Sequence, residues 1–231
     1  MPESNDDLSA PFNDPAAVAG YAERAARLVP GLADMQRMAG LLVAERAPEH
    51  ARVLVIGAGG GVELKAFAQR YPQWRFVGVD PSKEMLDLAQ AMLGPLASRA
   101  ELHHGYVDTA PDGPFDAATC LLTMHFLTLD ERRRTLSEIR RRLKPGAPFV
   151  MAHLSFPQAP QERDTWLSRY AAFAISSGVD PADARNAATM IGSHLPLLGP
   201  EEEEAMLKEA GFTHVGVFYT GLAFRGWVAR A

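Results

Sequence analysis

At 231 residues, 47% of them hydrophobic, the chain fits one large domain with additions rather than two full domains, with a core that needs no covalent staples. A single cysteine, Cys120, excludes an internal disulfide and suits a reducing compartment. A net charge of −5 gives no global attraction to nucleic acid, and no apolar run reaches the roughly 20 residues of a membrane span, so a soluble cytoplasmic protein is expected.

The first dozen or so residues are polar and acidic and are expected to be mobile. Asn13-Asp14-Pro15 supplies a cap followed by proline in the first turn, which predicts a helix from Pro15 to about Leu28, broken by Val29-Pro30-Gly31. A second helix, from about Asp34 to Ala47, sets Met35, Met38 and Leu42 on one face. Tyr21 and Arg24 on the first helix are candidates for a lid. The next stretch organises the rest of the chain. Val53-Leu54-Val55-Ile56 reads as a buried parallel strand, and Gly57-Ala58-Gly59-Gly60-Gly61 as a turn where a ligand approaches the backbone closely. The helix that follows points its unpaired N–H groups and positive dipole end at that turn. A second apolar strand, Trp74 to Val79, ends in Asp80, whose carboxylate can there accept both ribose hydroxyls of an adenosine.

Strands are predicted at about 52–57, 74–79, 100–104, 115–122, 147–154, 213–219 and 222–229, with helices at about 61–70, 83–92, 130–143 and 201–210. Residues 155–199 read as an insertion with helices near 161–177 and 181–192, and Gly221 suggests a closing hairpin. Such alternation predicts an α/β, doubly wound, mostly parallel sheet with helices on both faces. The predicted organisation is a tail and cap helices over 1–49, a cofactor-binding core over 50–154, a helical acceptor cap over 155–199, and the end of the core over 200–231.

The turn is G-x-G-G-G rather than G-x-G-x-x-G, which counts against a nicotinamide cofactor. With Asp80 at the next strand end, it resembles the first motif of class I S-adenosylmethionine-dependent methyltransferases, and the resemblance covers roughly residues 50–231. The resemblance implies a Rossmann-like seven-stranded sheet with an antiparallel edge strand, and S-adenosyl-L-methionine as cofactor. Gly57, Ala58, Gly59 and Gly61 then line its methionine and sugar, Asp80 its ribose, and Ser82 and Met85 its adenine edge. Val107 is expected to touch adenine, and the acid of the third strand end is either replaced by Tyr106 or moved to Asp108. Leu121 and Leu122 fall at the methionine end, and His125 on the acceptor side.

Methyl transfer from a sulfonium expels a neutral thioether, so a general base is needed only for a hydroxyl or protonated amine acceptor. His125, and after it His153, are the neutral-pH candidates. Adjacent His103 and His104 point to opposite faces of a strand, and no metal site is expected. Phe156, Trp166, Tyr170 and Phe173 offer an apolar wall to an acceptor pocket, or pack the core. The charged helix from Glu131 to Lys144 reads as a solvated face matched to its dipole, with an RNA-contacting patch as the alternative, and Glu201 to Glu204 as dipole-stabilising.

Within the methyltransferases, Val29-Pro30-Gly31, Ala210-Gly211-Phe212 and the size of the insertion resemble the carboxy-S-adenosylmethionine synthase branch, which serves tRNA wobble-uridine modification. Three positions depart from it. Leu32 replaces a tyrosine, Val55 the first-motif acid, and Ala188 the arginine that holds the extra carboxylate. Plain S-adenosylmethionine is therefore the expected cofactor. The expected function is methyl transfer to a small-molecule acceptor by in-line displacement. The alternatives are a tRNA-modification enzyme of the synthase type and a non-catalytic cofactor-binding protein. No membrane contact is expected, and the sequence leaves the oligomeric state open, a homodimer among the alternatives.

Overall fold

The computed structural model describes residues 20–231. Seven strands form one sheet in the order β3-β2-β1-β4-β5-β7-β6. They are β1 (Arg52–Ile56), β2 (Arg75–Asp80), β3 (Ala100–His104), β4 (Ala117–Leu121), β5 (Pro148–Leu154), β6 (Thr213–Gly221) and β7 (Phe224–Arg230). Pairing from β3 through β5 is parallel, and β7 runs antiparallel between β5 and β6. The expected hairpin thus closes one edge of the sheet, with its second strand inserted inside its first. Strand order reverses between β1 and β4, which opens a crevice above their carboxyl ends.

Alternate residues of each central strand feed two opposite cores, as a sheet covered on both faces requires. Val53, Val55, Ala117, Leu121, Val150 and Ala152 face one core, and Leu54, Ile56, Ala118, Cys120, Phe149 and Met151 the other. The first is covered by α1 (Tyr21–Leu28), α2 (Leu32–Ala44), α3 (Val62–Arg70), α4 (Lys83–Leu93), α6 (Pro160–Ser176) and α7 (Pro181–His194). The second is covered by α5 (Leu129–Arg142) and α8 (Pro200–Glu209).

Local chemistry sets the helix starts. The Ser82 Oγ accepts the Met85 N–H at 3.1 Å to open α4. Thr128 and Glu131 form a reciprocal capping box on α5, the Thr128 N–H donating to Glu131 Oε2 at 2.8 Å. Asp180 Oδ1 accepts the Ala182 N–H at 2.8 Å to open α7.

The segment expected to be mobile, the Asn13-Asp14-Pro15 cap and the first residues of the first predicted helix lie outside the described residues. Two short 3₁₀ turns, Gly94–Arg99 and Met124–Phe126, carry no period by which a sequence could reveal them.

Candidate functional site

Above the carboxyl ends of β1, β2 and β4 lies a cavity of about 270 Å³. Gly57 and Gly59 form its floor, Asp80, Ser82 and Met85 one side, Tyr106 and Val107 another, and Leu121 to Thr123 the third. Tyr21 of α1 covers it, and Phe126, Leu127, Glu131 and Thr135 extend it along α5.

The glycine turn is built for close approach. Gly57 has φ +68°, and a Cβ there would lie 1.9 Å from the Thr123 Oγ1. The Gly57 and Ala58 N–H groups both donate to the Val79 carbonyl, at 2.9 and 3.0 Å, which ties this turn to the end of β2. Asp80 is held there in a fixed orientation. Its Oδ2 accepts the Gly59 N–H at 2.8 Å and its Oδ1 the Ser82 N–H at 2.9 Å. Each oxygen keeps a lone pair directed elsewhere, so the carboxylate can still accept two hydroxyls. Burial raises its pKa, opposed by those two backbone donors and by His104. Leu122 on the third side has φ +60°, a left-handed conformation costly for a leucine and stored where the cavity wall turns.

Of the residues expected to touch the cofactor, Gly57, Gly59, Asp80, Ser82, Met85, Val107, Leu121 and Leu122 line this one cavity. Three expectations need correction. Ala58 is buried with its Cβ against Gly78, and Gly61, at φ +80°, lets α3 approach α4, because a Cβ there would lie 2.8 Å from the Ala89 Cα. Both serve packing beneath the cavity rather than its lining. Asp108 is exposed and off the cavity, and its Oδ1 accepts the Thr109 N–H at 3.0 Å. Tyr106, 61% exposed, stands at the rim instead.

His125 also departs from its expected role. It is buried, does not line the cavity, and its Nδ1 accepts the Leu154 N–H at 3.4 Å. Burial first, then the neighbouring His153 and Arg132, hold its pKa well below the ordinary histidine value, so the ring is neutral and carries its proton on Nε2. A base must reach the proton it removes, and this ring faces the interior. His153 is fully buried too, with its Nε2 2.8 Å from Glu203 Oε1. Glu203 also pairs with Arg132, whose Nε donates to the Leu127 carbonyl at 3.0 Å and whose other nitrogen reaches the Pro196 carbonyl at 2.7 Å. Burial raises the Glu203 carboxyl, but His153 and Arg132 outweigh it and hold the carboxyl below the usual glutamate range. Glu203 is thus no surface dipole partner but the hub of a buried network that fixes the cavity's Leu127 wall. Charged strings such as Glu201 to Glu204 gave no sign of which member turns inward.

The aromatic wall expected for the acceptor packs the core instead. Phe156 and Tyr170 are buried, and Trp166 is stacked by Arg169 and Arg225 at 4.4 and 5.1 Å. Phe173 is half-buried and, like the other three, off the cavity. Nor is α5 simply solvated, since Arg132 and Arg142 are fully buried. Arg142 pairs with Glu138 and donates to the Asp108 carbonyl at 2.9 Å; Arg133 pairs with Asp130, Arg141 with Glu138, and Lys144 with Asp116. Among the described residues no group of three metal-ligating side chains comes together, and no helix is long and apolar enough to cross a membrane.

Residues 53–146 match the family described as methyltransferase domain. The chain is 26% identical over 220 residues to carboxy-S-adenosyl-L-methionine synthase of Chromohalobacter salexigens, covering 94% of this chain and 82% of that one. It is 29% identical over 175 residues to demethylmenaquinone methyltransferase of Thermotoga maritima, covering 74% and 73%. The fold matches phosphoethanolamine N-methyltransferase 2 of Haemonchus contortus, solved with S-adenosyl-L-methionine, with a TM-score of 0.69 at 14% identity, over 99% of this chain and 60% of that one. It also matches human N-acetylserotonin methyltransferase, with a TM-score of 0.63 at 14% identity, over 96% of this chain and 58% of that one. The chain thus spans about three fifths of those two solved structures, which share its fold.

A glycine turn and a strand-end acid frame one crevice of a seven-stranded doubly wound sheet, and the matched domain, the sequence relatives and the shared fold together indicate an S-adenosylmethionine-dependent methyltransferase of class I, with S-adenosyl-L-methionine as cofactor. Its sequence relatives set it beside the carboxy-S-adenosyl-L-methionine synthases within that family.

Proposed function

We propose that this chain transfers the methyl group of S-adenosylmethionine to a small-molecule acceptor held beside the β4 end of the cavity. The observation that carries this reading is the cavity itself, about 270 Å³ and lined by Tyr21, Leu121, Leu122, Phe126 and Leu127, a largely apolar surface suited to a small apolar-faced substrate. The cations of this region support it in part, because Arg132, Arg133, Arg141 and Arg142 of α5 and Lys144 just beyond it are engaged by carboxylates of the protein, which leaves Arg134 and Arg140 of that helix outside such pairs and too few for a basic track.

Asp80 orients the cofactor by accepting its ribose hydroxyls, and the glycine turn admits its amino-acid end against the backbone. The cofactor supplies an activated methyl group whose departure leaves a neutral thioether. The remaining work of the protein is alignment and exclusion of water, performed by the Leu121 to Thr123 wall and by Tyr21. The titratable groups on the cavity are Tyr21, Asp80, Tyr106 and Glu131, with no histidine among them, which favours an acceptor that reacts without a histidine base.

The carboxy-S-adenosyl-L-methionine synthase relatives favour a second reading, in which the cofactor is itself carboxylated. Ala188, buried in an apolar cluster, offers such a carboxylate no cation. The test is incubation with methyl-labelled S-adenosylmethionine in the presence of a small-molecule extract and of total tRNA. Label in the small-molecule fraction is expected. Label in tRNA, or a co-purified adenosyl ligand one carboxyl group heavier, would overturn the first reading for the second.

A further inference from the structure

A carboxyl that none of these steps uses lies directly beneath the cavity. Glu63 stands in the first turn of α3, just after the glycine turn, and is buried. It accepts a hydrogen bond from the Thr119 hydroxyl of β4. Thr119 pairs across the ladder with Val55 and shares its sheet face with Leu121, two residues and about 7 Å further along the strand. Gly57 stands two residues beyond Val55 in the same way, and both Gly57 and Leu121 line the cavity. Glu63 therefore sits one layer of side chains below the floor on which the cofactor's amino-acid end rests.

The Thr119 hydroxyl faces it from β4; burial first and then the Glu63 carboxyl raise the pKa of the Cys120 thiol on the opposite face of that strand, and burial, Asp80 and then Glu63 raise that of the Tyr21 phenol from α1. Among the described residues no lysine, arginine or histidine pairs with it, and desolvation without a countercharge pushes its pKa up to about 8. A carboxyl buried without a countercharge is costly to ionise unless a cation arrives. S-adenosylmethionine brings one, the α-ammonium of its methionine end.

We propose that Glu63 is the countercharge for the cofactor's α-ammonium, losing its proton to solvent as the cofactor binds and regaining it when the product leaves. The balance is simple, since one carboxylic acid ionises, one ammonium is paired, and one proton passes to buffer. This assignment rests on reading the cavity as the cofactor site.

The experiment is titration of the whole protein with S-adenosylhomocysteine, which keeps the ammonium and lacks the sulfonium, and with adenosine, which lacks both. It is run by calorimetry at pH 6 and pH 7 in two buffers of different ionisation enthalpy, below the range where an α-amino group titrates. For the native protein, S-adenosylhomocysteine is expected to release about one proton and to bind about tenfold more tightly per pH unit. Adenosine is expected to release none. Glu63→Gln is expected to abolish both the release and the pH dependence for S-adenosylhomocysteine. Binding of S-adenosylhomocysteine to the native protein with no proton release, or equal release with adenosine, would overturn the assignment without recourse to a variant. A folded Glu63→Gln protein that keeps the tenfold rise would overturn it as well. Absence of any binding by the native protein would instead strike the cofactor site itself, and this assignment with it.

Discussion

Replacing Glu63 by glutamine has a consequence for stability that can be worked from the structure. An unfolded glutamate ionises near 4.5, whereas the buried Glu63 carboxyl holds its proton to about 8. Between those values the native state binds more protons than the unfolded state, so stability falls as pH rises through that window and the loss is complete above pH 8. At 1.36 kcal/mol per pH unit the whole loss is about 5 kcal/mol. That is the size of the entire stability of a marginal domain. Glutamine fills the same volume, keeps an oxygen for the Thr119 hydroxyl and cannot ionise. Urea unfolding of the cofactor-free protein at pH 5, 6, 7 and 8 provides the measurement, and subtracting the two profiles removes every other titrating group. The native protein is expected to lose several kcal/mol relative to Glu63→Gln between pH 5 and 8, with the variant the more stable at pH 8. Parallel profiles would refute the reasoning.

Other consequences are equally direct. Asp80→Asn removes the charge from the acceptor of the ribose hydroxyls and is expected to weaken S-adenosylhomocysteine binding by roughly 10–100-fold in calorimetry, at the 1.5–3 kcal/mol of a charged hydrogen bond. Arg132→Met strands Glu203 in the interior and is expected to destabilise by about 3–5 kcal/mol in urea unfolding, whereas Arg132→Met combined with Glu203→Leu recovers much of that loss. Gly61→Ala forces a left-handed alanine against the Ala89 backbone and is expected to cost about 2 kcal/mol or more, read as a fall in the unfolding midpoint. His125→Asn is expected to lower the melting temperature while leaving the pH dependence of methyl transfer between pH 6 and 8 as it was, because this ring is neutral and off the cavity.

Much of the fold was legible because the central strands β1, β4 and β5 are largely apolar runs bounded by glycine and proline. Val53 to Ile56, the glycine turn and Asp80 lie where their pattern set them, and the elements of the insertion fall within a residue or two of their expected ends. What stayed hidden is what tertiary packing alone decides. Val62-Glu63-Leu64-Lys65 reads as the first turn of an ordinary amphipathic helix, and only its docking against Thr119 of β4 takes the carboxyl out of water. Arg132, Arg142 and Glu203 lie in strings of like charges, whose period does not mark the members that turn inward to meet partners 71 residues away in the case of Arg132 and Glu203. His125 follows a strand end, which fixes its place near the crevice but not the direction of its ring, and the left-handed turn at Leu122 just before it redirects the chain. Asp108 and Tyr106 differ in the same way, since neighbours in a loop exchange cavity for solvent with one backbone rotation.

The crevice framed by Gly57 and Asp80 is where S-adenosylmethionine is expected to bind. Calorimetric titration of the native protein and of Asp80→Asn with S-adenosylhomocysteine at pH 7 tests it most directly. Saturable binding of one ligand per chain is expected for the native protein, and markedly weaker binding for the variant. A folded native protein that gives no heat and no thermal shift, or a variant that binds as tightly as the native chain, would contradict it.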